Sequence, residues 1–460
     1  MENENQMETS PQERESREAT PKKKNVLIIV IAAVLCVVLL GVLGLAVIVG
    51  TDGIAGFDGI KLKISQLRGE KPAEEVGPSA PEATQPEESL PSATAPAATE
   101  PLNLKSYTVD EEKAAQIVDQ AVATAGSDTL TNGILQAYYQ TTLLTYYSNN
   151  YYALMYSGVD LSQPLDQMVY DPNTNQTWQE FMLESALQTW HLFTAVQQFG
   201  ATSEEYGYTF TQVGQEYVEN LPGRIQEMAE ASGFTDPEEF VKKQIGITAT
   251  VEGLRNYMEK EYYYVCYYSY LQEKLMPTME QIEQYYTDHE ALFAQNGITK
   301  ESGDVVDVRH ILITPKGGTT EGTTTTYSEE QWEAARVEAQ ELLDTWKSGE
   351  ATEKTFAELA NEHTEDTGSQ STGGLYTAVE QGDMVTEFDT WIFAEGRAFG
   401  DTDLVKTPYG YHIMFFVKRE PKWVSTARAN CLNDALIALL DEVTAQYPLD
   451  VNYDAIGLSN

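Results

Sequence analysis

The sequence predicts an α+β fold class: a single N-terminal transmembrane helix, a larger all-α domain, and a smaller unit with an antiparallel sheet and surrounding helices. Three observations carry this prediction. Residues 26–50 are apolar and hold no charge. From about residue 105 to 300, apolar residues recur at helical spacing. From about 303 the pattern changes to short Val/Ile-rich runs between glycine-rich loops, which is strand chemistry.

The apolar run comes first. At about 1.5 Å rise per residue it can cross a hydrocarbon core about 30 Å thick. It is also longer than the core of a secretory signal peptide. Lys22, Lys23 and Lys24 precede it, with Arg14 and Arg17 further upstream. That bias assigns 1–24 to a cytoplasmic tail, 25–50 to the span, and the bulk of the chain to the outside of the cell membrane. Residues 51–101 are read as a juxtamembrane segment and a disordered linker. From Gly69 this stretch is rich in Pro, Ala, Glu, Ser and Thr, which cannot build a core.

Composition excludes some functions. The chain has 71 Asp and Glu against 29 Lys and Arg. Nucleic-acid binding needs clustered basic residues, so no nucleic-acid partner is expected. Cys36, Cys266 and Cys431 show neither metal-ligand spacing nor a disulfide framework. One Cys266–Cys431 bridge stays open.

Residues 102–302 are read as all-helical, from AAQIVDQAVA (114–123) to the helix expected after Pro277. Tyrosines are dense in this region, at 138, 139, 146 and 147 and again from 262 to 270. Most are read as core. The alternative is a cradle of amphipathic rings that grips unfolded chains. The smaller unit spans 303–420. DVVDVRHILI reads as a strand and TPKGGTTEGTTTTY as a loop. Ser328 caps a helix that stops at Gly349. Further helices are expected at 356–364 and 384–393, and strands at 403–407 and 411–418. Residues 421–460 hold a helix outside the unit.

Two of the five histidines lie inside strand-like runs, in VRHILI (308–313) and YGYHIM (409–414). Between them stand FAELANEHTEDTGSQSTGGL (356–375) and QGDMVTEFDTWIF (381–393), and KTPYGYHIM (406–414) closes the series. In this order the pieces resemble a parvulin-type peptidyl-prolyl cis/trans isomerase domain, covering about a quarter of the chain. The layout around it resembles the PrsA-like and SurA-like extracytoplasmic foldases. In those, helices before and after the inserted parvulin domain join into one chaperone-like domain. The resemblance therefore returns 421–460 to the helical region.

The resemblance also implies a site. His310 and His412 match the paired strand histidines, Asp366 the acidic position, and Thr407 a hydroxyl of the same network. Leu375, Met384 and Phe388 match the apolar pocket for the substrate proline. Exchange about a peptide bond breaks no covalent bond, so no cofactor or metal is expected. The expected partners are unfolded or newly secreted proline-containing polypeptides and the membrane. A homodimer stays open. One departure stands out. Where the family reads G-G-D-L-G, this chain reads Thr372-Gly373-Gly374-Leu375-Tyr376, and Tyr376 is expected to narrow the pocket mouth. Two other readings stay open: a holdase with a catalytically degenerate parvulin domain, and an envelope binding or structural protein.

Overall fold

A computed structural model describes residues 104–157, 163–321 and 324–459. The expected cytoplasmic tail, transmembrane helix and linker (1–101) lie outside the described residues. Among the described residues no helix is long and apolar enough to cross a membrane.

The chain enters through α1 (Glu111–Ile117), whose cap Asp110 accepts the Lys113 N–H. A hairpin follows, β1 (Ala121–Ala125) and β2 (Asp128–Thr131), turning at Gly126 with φ 56°. Next come α2 (Asn132–Ser157), kinked at Asn150, and a short hairpin of β3 (Val169–Asp171) and β4 (Gln176–Thr177). Thr177 and Glu180 form a capping box on α3 (Trp178–Thr202). Three short helices, α4 (Gln212–Glu219), α5 (Leu221–Ala231) and α6 (Pro237–Gln244), lead to α7 (Val251–Lys274).

The long helices α2, α3 and α7 pack on one another. Tyr138, Trp190, Tyr264 and Tyr267 fill the space between them and are almost fully buried. Burying a large apolar side chain contributes about 1.5–3 kcal/mol. The backbones of α2 and α7 come close, because a Cβ on Gly253 would sit 2.1 Å from the Gly133 carbonyl oxygen. Lys260 ties the bundle to the hairpin, donating to Asp128 Oδ2 at 2.7 Å and Gln197 Oε1 at 2.6 Å.

One expectation for this region needs correction. It is not all-helical. AAQIVDQAVA is helix only to Ile117, and from Ala121 it is a strand. Alanine favours helix, but β1 is claimed on both sides, by β2 and by the distant β11 (Leu449–Val451). Tertiary pairing overrides weak propensity. The described tyrosines follow the reading of most as core rather than the cradle alternative. Tyr138, Tyr139, Tyr262, Tyr263, Tyr264, Tyr267 and Tyr268 are buried among other rings. Cys266 and Cys431 are both free thiols.

The helix expected after Pro277 is α8 (Met279–Asp288), capped by Thr278 and followed by α9 (Glu290–Gln295). Then comes β5 (Asp304–Ile313). The Gly/Thr-rich stretch expected as a loop holds a small hairpin, β6 (Thr319–Glu321) and β7 (Thr324–Thr326). Next are α10 (Glu329–Ser348), α11 (Glu353–His363), β8 (Leu375–Val379), α12 (Thr386–Ile392), β9 (Thr402–Thr407) and β10 (Gly410–Pro421). The strands form one antiparallel sheet in the order β8-β5-β10-β9.

Alternation along β5 and β10 splits the sheet into two faces. Ile311, Ile313, Ile413 and Phe415 pack with Phe356 and Trp346 under α10 and α11. Val306, Val308, Met414 and Phe416 pack with Phe388, Trp391 and Ile392 of α12.

After β10 the chain becomes α13 (Lys422–Gln446), which packs on α8 and α3. A satellite core of Ile282, Tyr286, Phe293, Val424 and Ala427 joins α8, α9 and α13. The last described residues then return to the segment before α1. Val109 N–H donates to Leu458 O at 2.9 Å, and Leu458 N–H donates to Tyr107 O at 2.8 Å.

Candidate active site

His310 on β5 pairs across the sheet with Met414 of β10, and His412 pairs with Leu312. The two histidines are thus diagonal neighbours on one face. Their Nδ1 atoms are 3.0 Å apart, and the rings stack at 5.1 Å. Both are buried.

The turn after α11 carries the acid. It is stitched to the end of β5: Leu312 N–H donates to Thr364 Oγ1 at 3.0 Å, and Glu365 N–H donates to Leu312 O at 2.9 Å. Asp366 Oδ2 is thereby held 3.0 Å from His310 Nε2. Ser369 and Tyr376 hydroxyls also donate to Oδ2, the latter at 2.7 Å. Gly374 lets the chain pass. It has φ 74°, its carbonyl accepts the His310 N–H at 2.8 Å, and a Cβ there would meet the His310 carbonyl oxygen at 2.1 Å.

At the other end, Thr407 Oγ1 lies 2.9 Å from His412 Nε2 and accepts the Tyr409 N–H. One proton arrangement gives every hydrogen an acceptor. Thr407 donates to His412 Nε2, His412 Nδ1–H to His310 Nδ1, and His310 Nε2–H to Asp366. The result is a four-residue chain, Thr407–His412–His310–Asp366.

Electrostatics fit that chain. The His310 bond holds the Asp366 carboxyl well below the ordinary carboxylate range against the opposing effect of burial, and Ser369 and Tyr376 add to it. Burial, aided by His310, pushes His412 down to about 3, so it stays neutral. Burial and the bond to Asp366 raise the Tyr376 phenol to about 12.

An apolar wall completes the site. Phe388 meets His310 and His412 edge-on, each at 5.4 Å. Met384 is partly buried in the same cluster, beside Val308, Met414 and Tyr376. Such an arrangement offers an apolar seat next to a preorganised polar network, with no free nucleophile.

Residues 293–419 match the family model for the PPIC-type PPIase domain. This region is a PPIC-type PPIase domain. The chain is similar to foldase protein PrsA of Exiguobacterium sibiricum, at 37% identity over 67 residues, 15% of this chain and 22% of that protein. It is also similar to foldase protein PrsA 3 of Bacillus cereus, at 32% over 119 residues, 26% of this chain and 40% of the relative. Chaperone SurA of Pseudomonas putida is 37% identical over 112 residues, 24% of this chain and 22% of its own length. The chain thus spans between about a fifth and two-fifths of these curated relatives. The solved structure of PrsA from Bacillus subtilis aligns with 61% of this chain and 93% of its own at 19% identity, with a TM-score of 0.28.

Of the residues singled out in the sequence, the PPIC-type domain brings His310, His412, Asp366 and Thr407 into one chain and sets Met384 and Phe388 beside it. Leu375 is not brought there. It pairs with Arg309, whose guanidinium bonds Glu353 of α11, so both belong to the opposite face. Tyr376, one residue on, takes the histidine side and stacks on His310 at 5.1 Å. Sequence reading missed Ser369 and the bond between Tyr376 and Asp366. The period of two along β8 was the one signal available for Tyr376. Lys316 in the neighbouring loop is bound to Glu365. The remaining histidines lie elsewhere: His191 meets Tyr447 O, His289 meets Tyr285 O, and His363 lies on the surface beside Glu362.

Proposed function

We propose that this chain is a membrane-anchored extracytoplasmic foldase that accelerates cis/trans exchange of Xaa–Pro bonds in unfolded or newly secreted polypeptides. The observation that carries this reading is the Thr407–His412–His310–Asp366 chain lying against Phe388 and Met384. Rotation about a peptide bond faces a barrier of about 18–20 kcal/mol from amide resonance. Fixing the prolyl ring while the carbonyl turns, beside polar groups that need no reorganisation, lowers that barrier without a covalent step. In this reading Met384 and Phe388 seat the ring, and His310, His412, Asp366 and Thr407 order the polar side. Residues 102–302 and 421–460 form one helical, chaperone-like body, and 303–420 are inserted into it. Residues 25–50 anchor the chain, with 1–24 in the cytoplasm and 51–101 as the juxtamembrane segment and linker.

The test is refolding of a proline-limited client by the full chain in detergent, beside His310→Ala, Asp366→Ala and Met384→Ala. The slow phase, tens to hundreds of seconds when uncatalysed, is expected to shorten, and each variant to lose about tenfold or more of the effect. An unchanged slow phase with aggregation still suppressed would favour a holdase. An unchanged slow phase without suppression would overturn both.

A further inference from the structure

Tyr376 has two parts with separate neighbours. Its ring stacks on His310 at 17° and is partly buried with Val308, Met384 and Phe388. Its hydroxyl donates to Asp366 Oδ2 at 2.7 Å. Both oxygens of the half-buried Asp366 carboxylate are then bonded. Oδ2 meets His310, Ser369 and Tyr376, and Oδ1 accepts the Gly368 N–H at 3.3 Å.

Resting on the isomerase reading above, we propose that Tyr376 is a positioning and specificity residue: its ring walls the prolyl pocket over His310, and its hydroxyl clamps Asp366 onto His310. An aromatic face offers the prolyl ring a flat apolar contact that an aliphatic side chain does not. The clamp keeps the carboxylate ionised and oriented, since three donors on one oxygen favour the charged form. Few other charges surround it. β10 brings His412, and the turn after α11 brings Asp366 and Glu365, the latter paired with Lys316. β9 brings Thr407, and α12 presents uncharged Phe388.

Two variants separate the parts. In exchange measurements on an Xaa–Pro peptide with the full chain, Tyr376→Phe keeps the wall and removes the clamp. Its kcat is expected to fall about threefold to tenfold, as for loss of a charge-assisted hydrogen bond. KM should stay unchanged, and the acid limb of the pH profile should move upward. Tyr376→Gly also removes the wall, and its KM is expected to rise about tenfold or more. Proton NMR titration of His412 gives a readout independent of turnover. In Tyr376→Phe it should move toward the ordinary histidine range, because the Asp366 charge is less compensated. A wild type that does not accelerate exchange defeats the isomerase reading, and the titration then decides the clamp alone. An active wild type whose Phe variant matches it in kcat, pH profile and titration overturns the clamp. A Gly variant with unchanged KM overturns the wall.

Discussion

Acid should loosen the histidine sheet through His412, well before the neighbouring Asp366 carboxylate titrates. In the folded protein His412 accepts a proton only near about 3, because it is buried beneath Phe388 and next to His310, whereas its ordinary value is 6.5. Between those values the unfolded chain carries more protons than the folded one, so stability rises with pH. The His412 contribution is thus complete above about pH 7 and drains away as pH falls from about 6.5 toward 3. Between about pH 7 and pH 5 the loss works out at about 2 kcal/mol, or about thirtyfold in the open fraction. Hydrogen exchange of peptides covering 308–313 and 410–416, corrected for intrinsic rate, reads this locally. His412→Gln removes the titration while keeping a hydrogen-bonding side chain. It should be less stable than wild type near neutral pH, yet lose less on acidification. Equal pH slopes for the two proteins would refute the account, because the slope would then belong to other groups.

Three further outcomes follow from buried contacts. Asn132→Ala removes donors to Ile117 O and Ala455 O and the acceptor of Gly457 N–H. It should cost about 2–4 kcal/mol and open 455–459 to protease before the rest of the helical body. Gly374→Ala should abolish site geometry, because the new Cβ would strike the His310 carbonyl; loss of about 3 kcal/mol or more in a melt is expected, and a melt equal to wild type would contradict it. Arg309→Met leaves Glu353 and the carbonyls of Thr372 and Gly373 without their guanidinium. About 3–5 kcal/mol should be lost, seen as faster exchange in β8 and α11.

The smaller unit was the more legible half. β5 falls on the stretch read as a strand, Ser328 caps α10, and Gly349 ends it. Those signals are local: alternation, a capping hydroxyl and a glycine stop act within one or two turns of chain. The helical half misled where a local signal met a distant partner. Nothing within ten residues of Ala121 announces β11, more than three hundred residues away. The tyrosine clusters were ambiguous for a similar reason, since a ring pattern along a helix does not say which neighbour will cover it.

The site divides in the same way. Sequence by itself determined which chemistry was available: two strand histidines, an acid after a helix, a hydroxyl before a hairpin, and apolar residues on a short helix. It also determined the apolar run at 26–50 and the strongly acidic charge. Only the tertiary structure decided which of these side chains meet. Sheet register set Tyr376 rather than Leu375 on the histidine face, because neighbouring strand residues point to opposite sides. Pairing of β5 with β10 brought the Nδ1 atoms of two histidines 102 residues apart to 3.0 Å, and burial there kept His412 neutral. Hydrogen bonds and desolvation depend on three-dimensional neighbours, and those exist only once the chain has closed on itself.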